Sequence, residues 1–294
     1  MDRRNSCVVC GGAPRAAGRD SLGYYVCAAC GLAWSDATEP PDVAGDWETD
    51  YYGDQAILKL HRARRSAMEA IANRLGALCP ERGRLLDVGS GLGFLMESAA
   101  RSGWTVEGIE ASPTAAESAR SLTGARVTVG LMEVIDLPAG QFDAVTILDT
   151  LRCAADPMAL LQSTKRALRP GGLLMVREIN RAFLRAGAGL LGRRIQARSA
   201  GRRKAFEYAQ RFSPRSILQA LRLAGFSGCW VEPSPMFREK DAGGSSISPL
   251  LKDGLGWACE VVYRASGRRL IVSPNLLAFG RATLDGPPSA PGGA

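Results

Sequence analysis

Residues 85–95 read Leu-Leu-Asp-Val-Gly-Ser-Gly-Leu-Gly-Phe-Leu, an apolar strand that runs into a glycine turn and then a helix start. Such a turn lets a ligand approach backbone N–H groups at a helix N-terminus, so it commits this part of the chain to a βα unit. Two common nucleotide fingerprints fail here. G-x-G-x-x-G requires glycine where Phe94 stands, and no Gly-Lys-Ser/Thr exists anywhere in the chain. What remains is D-x-G-x-G-x-G, with Asp87 at the carboxyl end of the strand. An acid beside a glycine turn is unsuited to phosphates and suits a cationic ligand such as an amino group or a sulfonium.

Around this loop, apolar runs of strand length alternate with helical stretches. Strands are expected at 84–88, 104–110, 126–129, 142–148 and 173–178, with helices at 94–101, 113–121 and 157–168. That alternation implies a doubly wound, mostly parallel α/β sheet with helices on both faces. A helix is expected from Gln55 to Leu78, ended by Cys79-Pro80. Further along, Ser213-Pro214 should cap a helix to Leu223, followed by strands at 229–232 and 275–281. Between those strands, 249–264 reads as a helix broken at Gly254 and Gly256. The second strand of the alternation ends in Glu110, 23 residues after Asp87, where a doubly wound fold presents a carboxylate to ribose hydroxyls.

The first 35 residues are a different kind of sequence. Cys7, Cys10, Cys27 and Cys30 form C-x2-C-x16-C-x2-C, the spacing with which two turns present four thiolates to zinc. Gly11 and Gly31 follow the second cysteine of each pair, as a tight turn demands. Four thiolates leave no open position for water or substrate, so the expected Zn2+ is structural and folds a ribbon too small to sustain its own core. Residues 36–54 read as a linker, 55–284 as the main domain with a basic insertion at 179–212, and 285–294 as a disordered tail.

Four blocks of the main domain together resemble class I S-adenosylmethionine-dependent methyltransferases: 85–95, 103–112, 141–149 and 168–173. The cysteine ribbon and the following Tyr51-Tyr52-Gly53 look like a bacterial subgroup of that family. The resemblance implies a seven-stranded Rossmann-like sheet with S-adenosylmethionine across the carboxyl ends of its first four strands. Carried over by position, Asp87, Gly89, Ser90 and Gly91 lie against the methionine part, and Glu110 and Ala111 lie at the ribose. By the same carry-over, Leu131 and Met132 pack on adenine and Asp149 faces the reacting methyl. The chain departs from the family after the fourth strand, where Leu151-Arg152-Cys153 stands in place of Leu-Glu-His, and ahead of the Phe-Ser-Pro helix, where relatives often carry a histidine and this chain reads Gln210-Arg211-Phe212-Ser213-Pro214.

With His61 the only histidine, an imidazole base at either place is excluded. The candidate proton acceptors are Glu178, Asp149, His61 and Tyr52. Methyl transfer from a sulfonium mainly requires that a nucleophile be positioned in line and deprotonated where necessary. The expected acceptor is an O, N or C nucleophile of a small molecule such as a sugar nucleotide, glycolipid or secondary metabolite.

Net charge is +8, and residues 179–204 alone carry eight cations and no acid. This concentration fits an anionic-acceptor clamp through Arg181 and Arg185, a peripheral membrane contact through 181–204, or a solvated loop. Methylation of an RNA base is an alternative, set against the absence of a N/D-P-P-Y/F/W clamp and the scarcity of stacking aromatics beside the arginines. A catalytically silent zinc-ribbon binding module is another. No stretch approaches roughly 18 apolar residues and no apolar leader follows Met1, so a cytoplasmic protein is expected.

Overall fold

A computed structural model describes residues 5–20, 23–35, 65–184, 209–235 and 249–283. Its main sheet is built from β4 (Arg84–Val88), β5 (Thr105–Glu110), β6 (Val127–Val129), β7 (Phe142–Leu148), β8 (Leu168–Ile179), β10 (Phe226–Pro233) and β11 (Asn275–Ala282). The strand order is β10-β11-β8-β7-β4-β5-β6. β6, β5, β4, β7 and β8 run parallel, while β11 enters antiparallel between β8 and β10.

Both faces of the sheet are covered, which is why its strands are continuous apolar runs. Successive side chains point to opposite faces. Leu86, Val145, Ile147, Leu174 and Val176 therefore join one core, and Leu85, Ala144, Leu173 and Met175 join the other. α1 (Arg65–Leu78), α2 (Phe94–Arg101) and α3 (Pro113–Thr123) pack on the Leu85 side, whereas α4 (Pro157–Ala167) and α5 (Pro214–Leu223) pack on the Leu86 side. Side-chain caps start three of these helices. Ser112 Oγ accepts from the Ala115 N–H at 3.0 Å, Asp156 accepts from the Met158 and Ala159 N–H groups, and Ser213 forms a capping box with Ser216.

One expected break does not occur. α6 runs without interruption from Pro249 to Ala265 through Gly254 and Gly256. Two interior glycines cost about 1 kcal/mol each, and tertiary contacts offset them: Cys259 is buried and Tyr263 Oη donates to the Val231 carbonyl at 3.0 Å.

The cysteine module forms β1 (Pro14–Arg19), β2 (Tyr25–Cys27) and β3 (Ala33–Trp34). A fourth strand completes its sheet from far along the chain. β9, Gln210–Arg211, pairs antiparallel with β3 in the order β1-β2-β3-β9. Cys7, Cys27, Cys30, Leu32 and Trp34 share a core with Phe212 and Ile217, so the ribbon is packed onto the main body. Among the described residues no helix is long and apolar enough to cross a membrane.

Candidate functional site

The carboxyl ends of β4, β5, β7 and β8 gather most of the residues singled out from the sequence. After Val88 the chain turns at Gly89, whose φ of 73° lies in the left-handed region. A Cβ there would stand 2.1 Å from Thr150 Oγ1, so any side chain would have to displace Thr150 as well as accept the left-handed backbone. Gly93, at φ 83°, lets α2 begin against Ala119 of α3, whose Cα a Cβ would approach to 2.9 Å. The loop is pinned by Gly89 and Ser90 N–H groups donating to the Ile109 carbonyl at 2.8 and 3.1 Å.

Two carboxyl groups flank this loop. Asp87 is buried and accepts from Thr146 Oγ1 at 2.7 Å. Burial pushes its pKa up to about 7, the Thr146 hydrogen bond pulls it down, and the nearby Glu110 charge adds to the rise. Glu110 accepts from the Gly91 N–H at 2.7 Å and from the Ser112 N–H at 3.0 Å. Its carboxylate therefore joins the glycine loop to the start of α3. Ser90 Oγ is buried and has no hydrogen-bond partner among the described residues. Past β6, Leu131 is exposed while Met132 is buried in the core. Only Leu131 of this pair offers an open apolar surface. Ala111 is half-buried beside Glu110.

The β7–β8 side is arranged differently from expectation. Asp149 has φ 61°, a conformation that aspartate tolerates better than most residues. Its carboxylate accepts from Arg152 Nη1 at 2.8 Å and from Arg177 Nη1. Glu178, expected as a proton acceptor, is buried and has both oxygens engaged by Arg152. Its Oε1 accepts from the Arg152 backbone N–H at 3.0 Å and its Oε2 from Nη1 at 3.1 Å. Burial raises the Glu178 pKa and the adjacent Arg152 charge opposes the rise. Arg177 also donates through Nε to Ser234 Oγ at 3.0 Å. Two acids and two guanidiniums thus form one paired cluster.

Sequence reasoning missed Thr146, Arg152 and Arg177 as members of the site. The available signal was Arg177 itself, which with Glu178 puts two adjacent charges into a Leu173–Ile179 run that is apolar elsewhere. Arg181, expected to grip an anion, is instead buried and paired with Asp20 of the ribbon at 2.7 Å. A guanidinium so engaged is not presented to a phosphate. His61, Tyr52 and Arg185 lie outside the described residues.

The four cysteines do converge. Their sulfur atoms lie within 4.8 Å of one another, with Cys7–Cys30 at 3.7 Å and Cys10–Cys27 at 3.5 Å. Sulfurs at about 2.3 Å from a tetrahedral zinc would be separated by about 3.8 Å, so this donor set fits zinc.

Residues 60–230 match the sequence family described as a methyltransferase domain, more than half of the chain. The chain belongs to that family. The enzyme is an S-adenosylmethionine-dependent methyltransferase with a Rossmann-like fold. A relative from Xanthomonas axonopodis pv. citri (strain 306), named ubiquinone biosynthesis O-methyltransferase, is 33% identical over 198 residues, which cover 64% of this chain and 80% of the relative. Among solved structures, a methyltransferase of Thermotoga maritima matches with a TM-score of 0.51 and 20% identity over 76% of this chain and 91% of its own. The plantazolicin methyltransferase BamL, solved with a triazolic desmethylPZN analog and SAH, matches with a TM-score of 0.51 and 16% identity over 82% of this chain and 96% of its own. These two likenesses concern the fold.

Proposed function

We propose that the enzyme transfers the methyl group of S-adenosylmethionine to a hydroxyl oxygen of a small-molecule acceptor. The observation that carries the cofactor reading is the pair of buried carboxyl groups, Asp87 and Glu110, on neighbouring strands around a glycine loop. Asp87 faces the cationic methionine part and Glu110 the ribose hydroxyls. Gly89 and Gly91 allow close backbone approach, Ser90 Oγ would gain a partner, Ala111 lies beside Glu110 at the ribose, and Leu131 borders the adenine. Bound there, the cofactor supplies an electrophilic methyl on sulfur. The choice of oxygen is supported by the O-methyltransferase relative, with which the chain shares 33% identity across most of that protein's length. Acceptor classes consistent with this reading are sugar nucleotides, glycolipids and other secondary metabolites that carry a hydroxyl.

On the acceptor side, Glu178 is assigned as a positioning residue for Arg152, since both its oxygens are already engaged. Asp149 likewise orients the two guanidiniums. His61 and Tyr52 remain the proposed proton acceptors. Cys7, Cys10, Cys27 and Cys30 are proposed to hold one structural zinc.

Incubation with methyl-labelled S-adenosylmethionine and a panel of phenolic, sugar and lipid hydroxyl compounds, read by mass spectrometry, tests the oxygen assignment. An O-methylated product is expected. Label found only on nitrogen or carbon acceptors would remove it. Elemental analysis of gently purified protein should give one zinc per chain, and its absence would remove the metal assignment.

A further inference from the structure

The ribbon and the β7–β8 edge are tied together by two separate routes. Along the first, β3 pairs with β9 through Ala33↔Arg211 and Trp34↔Gln210, and the Ser35 N–H donates to the Ala209 carbonyl at 2.9 Å. Gln210 is fully buried, and its Nε2 donates to the Ala154 carbonyl at 3.1 Å. Ala154 closes the short 3₁₀ turn Leu151–Cys153, whose Arg152 holds both Asp149 and Glu178. Along the second route, Asp20 pairs with buried Arg181, three residues past Glu178, and the Arg181 N–H donates to the Phe212 carbonyl at 2.8 Å. Neither route includes a residue of the glycine loop or Glu110, although Thr150 at the start of that turn packs beside Gly89.

We propose that the four-cysteine ribbon is a positioning element for the acceptor side of the site, acting through Gln210 on the turn that carries Arg152 and through Asp20 on Arg181. A ribbon serving only as an independent appendage would not pair with the strand whose Gln210 amide is buried against that turn. The two-residue β9 exists only because β3 supplies its partner, so the geometry of Gln210 depends on the ribbon being folded. That dependence makes metal binding at the four cysteines a determinant of how the Asp149–Arg152–Glu178 group is held. The proposal rests on the reading of the β7–β8 edge as the acceptor side, but its test needs no acceptor.

Amide hydrogen exchange on the full chain reads the coupling directly, because the Arg152 N–H donates to Glu178 and the Cys153 N–H to the Thr150 carbonyl. Gln210→Met keeps the side-chain size and removes the donor. In that variant the amides of 151–154 should exchange about fivefold faster, the loss of one buried hydrogen bond. Zinc content, S-adenosylmethionine affinity by calorimetry and exchange at 86–93 should not change. Asp20→Asn should do the same at Arg181 and Ala182, with Asp20→Glu restoring protection. Zinc removal with a chelator should reproduce both effects at once. Unaltered exchange at 151–154 and 181–182 in the two variants and after zinc removal would overturn the proposal. Equal loosening of the glycine loop would also overturn it, by making the ribbon a general prop. Failure to find any O-methylated product would remove the acceptor assignment and leave the measured coupling standing.

Discussion

At the ends of β4 and β5, Asp87 and Glu110 are held by a threonine hydroxyl and by backbone amides, whereas at the ends of β7 and β8 Asp149 and Glu178 are matched by Arg177 and Arg152. Burial shifts Asp87 towards its protonated form, so a cation brought beside it would favour its carboxylate. The second pair has its cations built in. A buried carboxyl without a counter-charge prefers the protonated form, and a buried ion pair resists losing either partner. The two halves of one sheet edge should therefore respond to substitution in opposite ways: the cofactor half through binding, the acceptor half through stability.

The largest effect should come from the acceptor half. Arg177→Ala leaves Asp149 without one of its guanidiniums and is expected to cost about 3 to 5 kcal/mol of folding stability, measured by denaturant unfolding. Asp87→Asn, in contrast, should leave stability at pH 8 unchanged or raised while cofactor affinity falls. Equal destabilisation by both variants would break the comparison. Next, Gly89→Ala must accept a left-handed backbone, roughly 1 to 2 kcal/mol, together with the clash at Thr150 Oγ1. Calorimetry should show cofactor affinity reduced beyond detection with the fold retained by circular dichroism. Glu110→Ala should weaken cofactor binding by about ten- to a hundredfold, corresponding to charge-assisted bonds of roughly 1.5 to 3 kcal/mol. Identical binding by wild type and variant would take Glu110 out of the site.

A smaller effect is expected from pH. The Asp87 pKa of about 7 in the folded protein lies above its ordinary value of 3.8, so between these values the native state keeps a proton that the unfolded chain has lost. Its contribution to ligand-free stability falls as pH rises from 4 to 7 and levels off above. A cationic ligand favours the carboxylate, so cofactor affinity should rise with pH up to about 7, by at most about tenfold per unit. Affinity that ignores pH in that window, or that is equally pH-dependent in Asp87→Asn, would count against Asp87 as the group involved. The smallest effect belongs to neither half. Arg264→Ala, on an exposed pair with Glu260, should change stability by less than about 0.5 kcal/mol.

Much of the geometry of the proposed cofactor half was legible because its features are local. Asp87, the glycines and Glu110 are set by a strand, a turn and the end of the next strand, and each carries its signal within a few residues. The cysteine spacing is local in the same sense. The acceptor half is built from long-range pairings. Arg152 meets Glu178 across 26 residues and Arg177 meets Asp149 across 28. No periodicity announces which arginine will face which acid. Arg181 illustrates the cost: composition groups it with seven other cations of 179–204, and only the fold separates it as the partner of Asp20. β9 is likewise silent, since two residues have no alternation to read and form a strand only through Ala33 and Trp34.

That last pairing sets a schedule for how the protein comes off the ribosome. The cysteine module is synthesised first, yet its outer strand β3 waits for residues 210–211 before its backbone groups are matched. At about 5 to 20 residues per second the wait is on the order of 10 to 35 seconds, during which β3 is an open edge. Early metal capture could fold the two cysteine turns in that interval but could not close the sheet. Until residues 210–211 arrive, the β3 edge is open to pairing with another strand.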